Sequence, residues 1–331
     1  MNLQHTGFKA CVPSSAVTTI ALDGFHPAVM EEAFRLGTVE HVQLAPGHFR
    51  GRLMRAEQGA SRIDWASYNI PLLALGEMPG DRVTLGFVFD ISEPCWLNGH
   101  EVSAATPVLF TEGTEFHYRS PRGWQGLAVQ LPREQAEVAG LELRDQGVTP
   151  LAAEPQCARG AEREFAAVLE GLRDIALGIP AISDAAACLR RLESHLLDLF
   201  SATAMDTSSS PSARATDPAR RAQLVRRATD FMYARLGEPL RVGAICRDIG
   251  CDWKTLKRAF LAVNGVPPKR FLTMARLSMA RRTLLRAPPD ASVTSIALNC
   301  GIHHLGPFSC EYRRVFGEVP SETLARATQR V

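Results

Sequence analysis

The stretch Val242-Gly243-Ala244-Ile245-Cys246-Arg247-Asp248-Ile249-Gly250-Cys251-Asp252-Trp253-Lys254-Thr255-Leu256-Lys257-Arg258-Ala259-Phe260-Leu261-Ala262-Val263 decides the fold of the C-terminal part of the chain. Ile245 and Ile249 stand four residues apart, the repeat of one helix face. Gly250 follows, a residue that ends a helix at no steric cost. Asp252 then stands where a side chain caps a new helix. From Trp253 onward, Leu256, Phe260 and Leu261 recur at helical spacing and leave Lys254, Thr255, Lys257 and Arg258 on the other side. A short helix, a glycine turn and a second helix showing donors predict a helix-turn-helix, whose second helix enters the DNA major groove. Lys and Arg reach guanine or phosphate, Thr serves either base edge, and Trp253 meets a thymine methyl or a sugar.

The layout repeats downstream. Phe271, Leu272, Leu277, Ala280 and Leu284 give a long helix its inward side, and Pro288-Pro289 break it. Ser292 to Cys300 reads as a capped short helix stopped at Gly301. Gly306-Pro307 opens another helix, with Phe308, Tyr312 and Phe316 on its apolar side and Gly317 at its end. The two motifs cover about 242–263 and 293–316. In the second, Leu305, Gly306, Pro307 and Cys310 stand where base-reading donors are expected. His303, His304, Arg313 and Arg314 are then read as phosphate contacts, with Gly306 and Pro307 allowing close backbone approach. Cys300, His303, His304 and Cys310 lack the spacing of a structural zinc site, so no metal is expected.

Charge separates this region from the rest. The 331 residues carry a formal net charge of only +2. From Arg214 onward the chain holds 21 Lys+Arg against 9 Asp+Glu, a net of +12, whereas residues 1–213 hold 16 against 26, a net of −10. A basic segment with well-patterned apolar positions points to a folded nucleic-acid-binding module. At the flip, residues 205–217 are rich in Ser, Thr, Ala and Pro and read as a flexible linker between a domain at 1–204 and one at 218–331.

Residues of about 40–131 show short β-like runs punctuated by glycine, such as Val83 to Phe89 and Glu115 to Arg119. They predict an antiparallel β-barrel or sandwich of cupin-like type, followed by helices at about 159–204. The fold class is therefore α+β multidomain with an all-α C-terminal domain. Phe49, Trp65, Phe87, Trp96 and His117 are the candidate effector-binding residues. The histidines of this part, His26, His41, His48, His100 and His117, form no HxH pair, and a hydrolase elbow, a Walker loop and a GxGxxG after a strand are absent, so no catalytic residue, enzyme activity or cofactor is expected. The eight cysteines form no CxxC, and no export signal or membrane-length apolar run is present; free thiols and a cytoplasmic, nucleoid-associated protein are expected.

The segment from about Arg226 to Arg326 resembles the DNA-binding domain of the AraC/XylS-type regulators. The match is carried by Ile245, Gly250, Leu256, Arg258 and Phe260, then Gly265, Pro268, Arg276, Leu277, Ala280 and Leu284, then Ile296-Ala297, Gly301, Phe308, Tyr312, Arg313, Phe316, Gly317 and Pro320. His304-Leu305-Gly306-Pro307-Phe308 and Pro320-Ser321-Glu322-Thr323-Leu324 look closest to the regulators of ethanolamine-utilisation operons; Pro46-Gly47-His48-Phe49-Arg50-Gly51 is similar to the same subgroup. Ile302 departs from the family's usual phenylalanine. The resemblance implies a transcription activator of a catabolic or adaptive operon. Its implied partners are double-stranded promoter DNA, RNA polymerase, an unnamed small-molecule effector and, as an option, a second copy of the chain, with no membrane. The alternatives are a regulator whose barrel is vestigial and binds no effector, and a barrel enzyme fused to a DNA-binding tail.

Overall fold

The computed structural model describes residues 17–34, 38–58, 60–89, 93–102, 108–138, 143, 148–150, 217–288 and 290–328. The helices expected at 159–204 and the linker at 205–216 lie outside the described residues.

The N-terminal half is built on two antiparallel sheets. The first runs in the order β1 (Val17–Asp23), β3 (Arg50–Gln58), β4 (Ser61–Tyr68), β11 (Trp124–Leu131), β6 (Val83–Phe89), β9 (Val108–Phe110) and β12 (Val148–Pro150). The second runs β2 (Thr38–Gln43), β5 (Leu72–Glu77), β10 (Glu115–Arg119), β7 (Cys95–Leu97) and β8 (His100–Val102). The sheet begins earlier than the glycine-punctuated runs suggest, at Val17. Two helices, α1 (Pro27–Phe34) and α2 (Arg133–Val138), accompany the sheets.

Register decides what faces inward, because directly paired residues share a face. Asp64 pairs with Ala128, Ala128 with Gly86, and Gly86 with Val108. One row along, Ala66 pairs with Gly126 and Gly126 with Val88. These inward rows are rich in small residues. Val39, Met78, Leu97, Val102, Phe110 and Phe116 are buried against the same face from the surrounding strands.

The C-terminal half is helical: α3 (Asp217–Tyr233), α4 (Val242–Ile249), α5 (Trp253–Asn264), α6 (Pro268–Leu285), α7 (Val293–Asn299), α8 (Leu305–Phe316) and α9 (Pro320–Thr328). Its apolar stripes come out as read at Ile245, Ile249, Leu256, Phe260, Phe271, Leu277, Ala280, Leu284, Phe308, Tyr312 and Phe316, which are all buried, but Leu261, read as part of the same face, is 43% exposed. The two halves share one core. Phe25, Phe49 and Tyr68 belong to the same buried cluster as Phe271, Tyr312 and Phe316. Phe25 lies parallel to Phe316 with ring centroids 5.9 Å apart. Each such fully buried aromatic contributes roughly 1.5–3 kcal/mol through the surface it removes from water.

Candidate nucleic-acid interface

The first motif is α4–turn–α5. Gly250 closes α4 at φ 70, in the left-handed region that a side chain resists, and its N–H returns to the Cys246 carbonyl. Asp252 caps α5 by accepting from the Thr255 backbone N–H at 3.0 Å, and the Thr255 hydroxyl donates to the same carboxylate at 2.7 Å. That hydrogen bond from Thr255 holds the Asp252 carboxyl below its ordinary value. It also orders the first turn of α5. Leu256, Ala259 and Phe260 point into the core, while Trp253, Lys254, Lys257 and Arg258 are exposed. Thr255 is half-buried with its proton already given to Asp252, so what it keeps for a base edge is its lone pairs. Four exposed side chains with donors or an aromatic face on one helix side are suited to phosphate and base-edge contacts.

The second motif is α7–turn–α8. Ser292 caps α7, its hydroxyl accepting from the Ser295 N–H at 3.5 Å. Gly301 turns the chain at φ 72, and a side chain there would collide with the Leu236 carbonyl and the Arg276 guanidinium. Arg276 donates to that carbonyl at 3.0 Å, so this arginine of the long helix ties the end of α3 to the second turn. His303, His304, Leu305, Gly306, Pro307, Cys310, Arg313 and Arg314 are all exposed. Arg314 is bound in a two-pronged pair to Glu311, at 2.9 and 2.7 Å, which also takes Arg270. Cys300 is buried and its thiol is pushed up by that burial to about 11, far from thiolate chemistry. Among the described residues no group of three or more His, Cys, Asp or Glu is placed to hold a metal ion, and no helix is long and apolar enough to cross a membrane.

The long helix α6 joins the motifs and also carries the contact with the N-terminal half. Arg281, 1% exposed, donates to the Phe25 carbonyl, to Glu318 at 2.6 Å and to the Tyr312 hydroxyl at 3.3 Å, and lies 4.8 Å over the Phe316 ring. Burial pushes the Glu318 carboxyl up, but Arg281 and the Thr323 hydroxyl more than offset it, so it stays below its ordinary value and charged. Next to it, Arg282 pairs with Glu40 of β2 at 2.6 Å and with Glu31 of α1 at 3.2 Å. The Gln43 amide donates to the carbonyls of Ala45, Gly47 and Val315, so one buried side chain spans to the end of α8. On the side of the first motif, His117 of β10 meets Asn264, the last residue of α5, at 2.6 Å. Burial holds the His117 imidazole down at about 4, so it is neutral there.

The residues expected around an effector are not gathered in one place. Phe87 lines the space between the sheets. Phe49 instead packs between Phe25 and Tyr68 in the shared core. Trp65 lines a separate open cleft with Asp23 and Arg52, Trp96 takes the Arg119 guanidinium on its face, and His117 serves the contact with α5. Choosing by aromatic type missed the alternation of β2 and β10. Val39, His41, Phe116 and Tyr118 face the inter-sheet space, whereas the intervening Glu40 and His117 reach the helical half. Arg281 was also passed over. Its position four residues after Leu277 and three before Leu284 put a charge in the inward stripe, the signal that could have found it.

Comparison with known proteins gives the same direction. Residues 245–326 match a family described as a helix-turn-helix domain. The chain is 39% identical over 102 residues to the probable thc operon regulatory protein of Rhodococcus erythropolis, a match taking in 30% of this chain and 31% of that one. It is 26% identical over 232 residues to the transcriptional activator RhaS of Pectobacterium carotovorum, covering 66% and 70%. Neither is an ethanolamine-operon regulator by name. The crystal structure of a probable AraC family transcriptional regulator from Rhodopseudomonas palustris is 33% identical over 32% of this chain and 98% of its own, with a TM-score of 0.31. With two helix-turn-helix motifs joined by one long helix, and with these relatives, the chain is similar to the AraC/XylS-type transcription regulators, most of all over its helical half.

Proposed function

We propose that the protein is a sequence-specific regulator that binds promoter duplex DNA through residues 218–331 and activates a catabolic or adaptive operon in response to a small molecule held in residues 1–204. The observation that carries it is the exposed row Trp253, Lys254, Lys257 and Arg258 on a capped second helix, duplicated in plan by α8 at the other end of α6. Activation is favoured by relatives named as activators. In this reading α5 selects bases, while His303, His304, Arg313 and Arg314 hold phosphates. RNA polymerase and a second copy of the chain are its protein partners, the cytoplasmic nucleoid is its place, and it catalyses nothing.

Strands β2 and β10 offer the coupling. Each has one face on the inter-sheet space and the other on the helical half, so a change inside moves the Arg282–Glu40 and His117–Asn264 contacts together. The test is genome-wide mapping of bound sites in the native host with the full-length protein. A few sharp peaks upstream of one operon support the reading, and binding no different from background under any growth condition refutes it.

A further inference from the structure

A cavity of about 120 Å³ lies between the two sheets, reached by strands of both. Its walls are apolar, among them Val39, Met78, Val102, Val108, Phe110 and Phe116. The space exists because the rows that face it carry Ala66, Gly86 and Ala128 where larger residues would close it. For scale, an apolar cavity of about 150 Å³ in another protein takes up benzene.

Two polar side chains interrupt the apolar lining. Asp64 on β4 is 4% exposed and Thr84 on β6 is fully buried. Asp64 Oδ1 accepts from Arg55 Nε at 2.6 Å, but among the described residues Oδ2 has no hydrogen-bond partner, and neither has Thr84 Oγ1. Leaving such groups unmatched in a dry interior costs about 1–3 kcal/mol each. Among the described residues no Lys or Arg lines the cavity. Its one histidine, His41, is held by burial at about 3 and is uncharged. Tyr68 and Tyr118, also in the wall, are pushed up by burial and stay protonated.

We propose that this cavity binds a small uncharged molecule with an apolar body about the size of one aromatic ring and a single hydroxyl- or amide-type donor, which turns to Asp64 Oδ2 or to Thr84 Oγ1, the two standing two strands and one row apart. An organic anion would meet a carboxylate with no cation in the wall to receive it. A bare hydrocarbon would leave both polar atoms as they are. The proposal rests on the regulator reading for what the binding controls; the binding itself stands on the cavity.

The test is calorimetric titration of the full-length protein with three probes of similar size: phenol, toluene and benzoate. Phenol should bind with one site and about tenfold more tightly than toluene, the worth of one hydrogen bond to a charged acceptor, and benzoate should give no saturable heat. Thr84→Val keeps the shape and Asp64→Asn removes the charge. One of the two should bring phenol and toluene to within about twofold, and Ala128→Leu should abolish both by filling the space. Benzoate binding as tightly as phenol, or a phenol preference unmoved in both Thr84→Val and Asp64→Asn, overturns the ligand class and leaves the cavity as a binding site. No saturable heat from phenol or toluene overturns the cavity itself. Mapping of bound promoters with Ala128→Leu distinguishes that failure from failure of the regulator reading. Condition-dependent occupancy unchanged by Ala128→Leu places the effector elsewhere, whereas occupancy that no condition alters in the unsubstituted protein means there is no effector.

Discussion

Helix α5 presents Trp253, Lys254, Lys257 and Arg258 to solvent, whereas the corresponding end of α8 presents His304, Leu305, Gly306, Pro307 and Cys310. Both follow a short helix and a left-handed glycine, and both bury an aromatic on the inner side, Phe260 in one and Phe308 in the other. They differ in their neighbours. The C-terminal end of α8 is built into the junction with the sheets, through the Val315 carbonyl, the Phe316 ring and the Glu318 carboxylate just beyond it. The end of α5 touches that half through Asn264. One local plan therefore stands in two settings: the first motif leaves its outer surface free, and the second shares its helix with a structural joint.

The largest expected effect breaks the joint. Arg281→Ala leaves the Phe25 carbonyl without its donor and Glu318 with Arg326 and the Thr323 hydroxyl as its remaining partners, which costs about 2–3 kcal/mol. Equilibrium urea unfolding should show it, and a loss below about 1 kcal/mol would mean that the joint does not depend on this residue. Next comes recognition. Lys254→Ala or Arg258→Ala should weaken binding to the target promoter by about 1–3 kcal/mol and leave binding to random duplex little changed. Arg313→Ala should weaken both alike and reduce the salt slope by about one. Equal losses on target and random DNA for all three variants would erase the division between the motifs.

Acid should strain the α5 side first. Neutral His117 sits at about 4 and His41 at about 3, both below the ordinary 6.5 because of burial. Their contributions are complete above pH 6.5 and are lost as pH falls through those values. Asp64, raised by burial to about 6, runs the other way: its contribution is complete below 3.8 and is lost as pH rises through 6. Between pH 4 and 6 two protons are gained and one is released on unfolding. Stability should then fall by about 1.4 kcal/mol per pH unit on acidification. His117→Gln keeps a partner for Asn264 and should flatten that slope in urea titrations at pH 6, 5 and 4; an unchanged slope would remove His117 from the account. The smallest effect is Gly306→Ala. Nothing lies within 4 Å of the added carbon, so stability should rise by less than about 1 kcal/mol. A loss of promoter affinity in gel-shift titration would then mark close backbone approach of α8 to the duplex.

The helical half was largely legible because its signals are local. Gly250, Asp252 and the apolar spacing of Leu256 and Phe260 act within a few residues, and the helix they imply is the helix that forms. The inter-sheet cavity was not, because it depends on which strand pairs with which. Only the register Asp64–Ala128–Gly86–Val108 brings four separate runs into one row. Aromatic content is a weak guide there. Of the five residues chosen on that basis, Phe87 reaches the cavity, while Phe49, Trp65, Trp96 and His117 are occupied elsewhere. The joint was hidden for a different reason. A charge in an inward stripe, Arg281, makes sense only with the Phe25 carbonyl and Glu318 in place, 256 and 37 residues away.

The shared core has a consequence for anyone who would treat the protein as two exchangeable parts. A sensor grafted from another regulator at the 205–216 stretch would inherit α6 and α8 with an unmatched socket: no carbonyl for Arg281, no ring for Phe316, no amide for the Val315 carbonyl. The natural seam for rewiring is therefore not the one marked by composition. It runs through the packing, and a working hybrid would have to carry Phe25, Gln43 and Gly47 along with the DNA-binding half they complete.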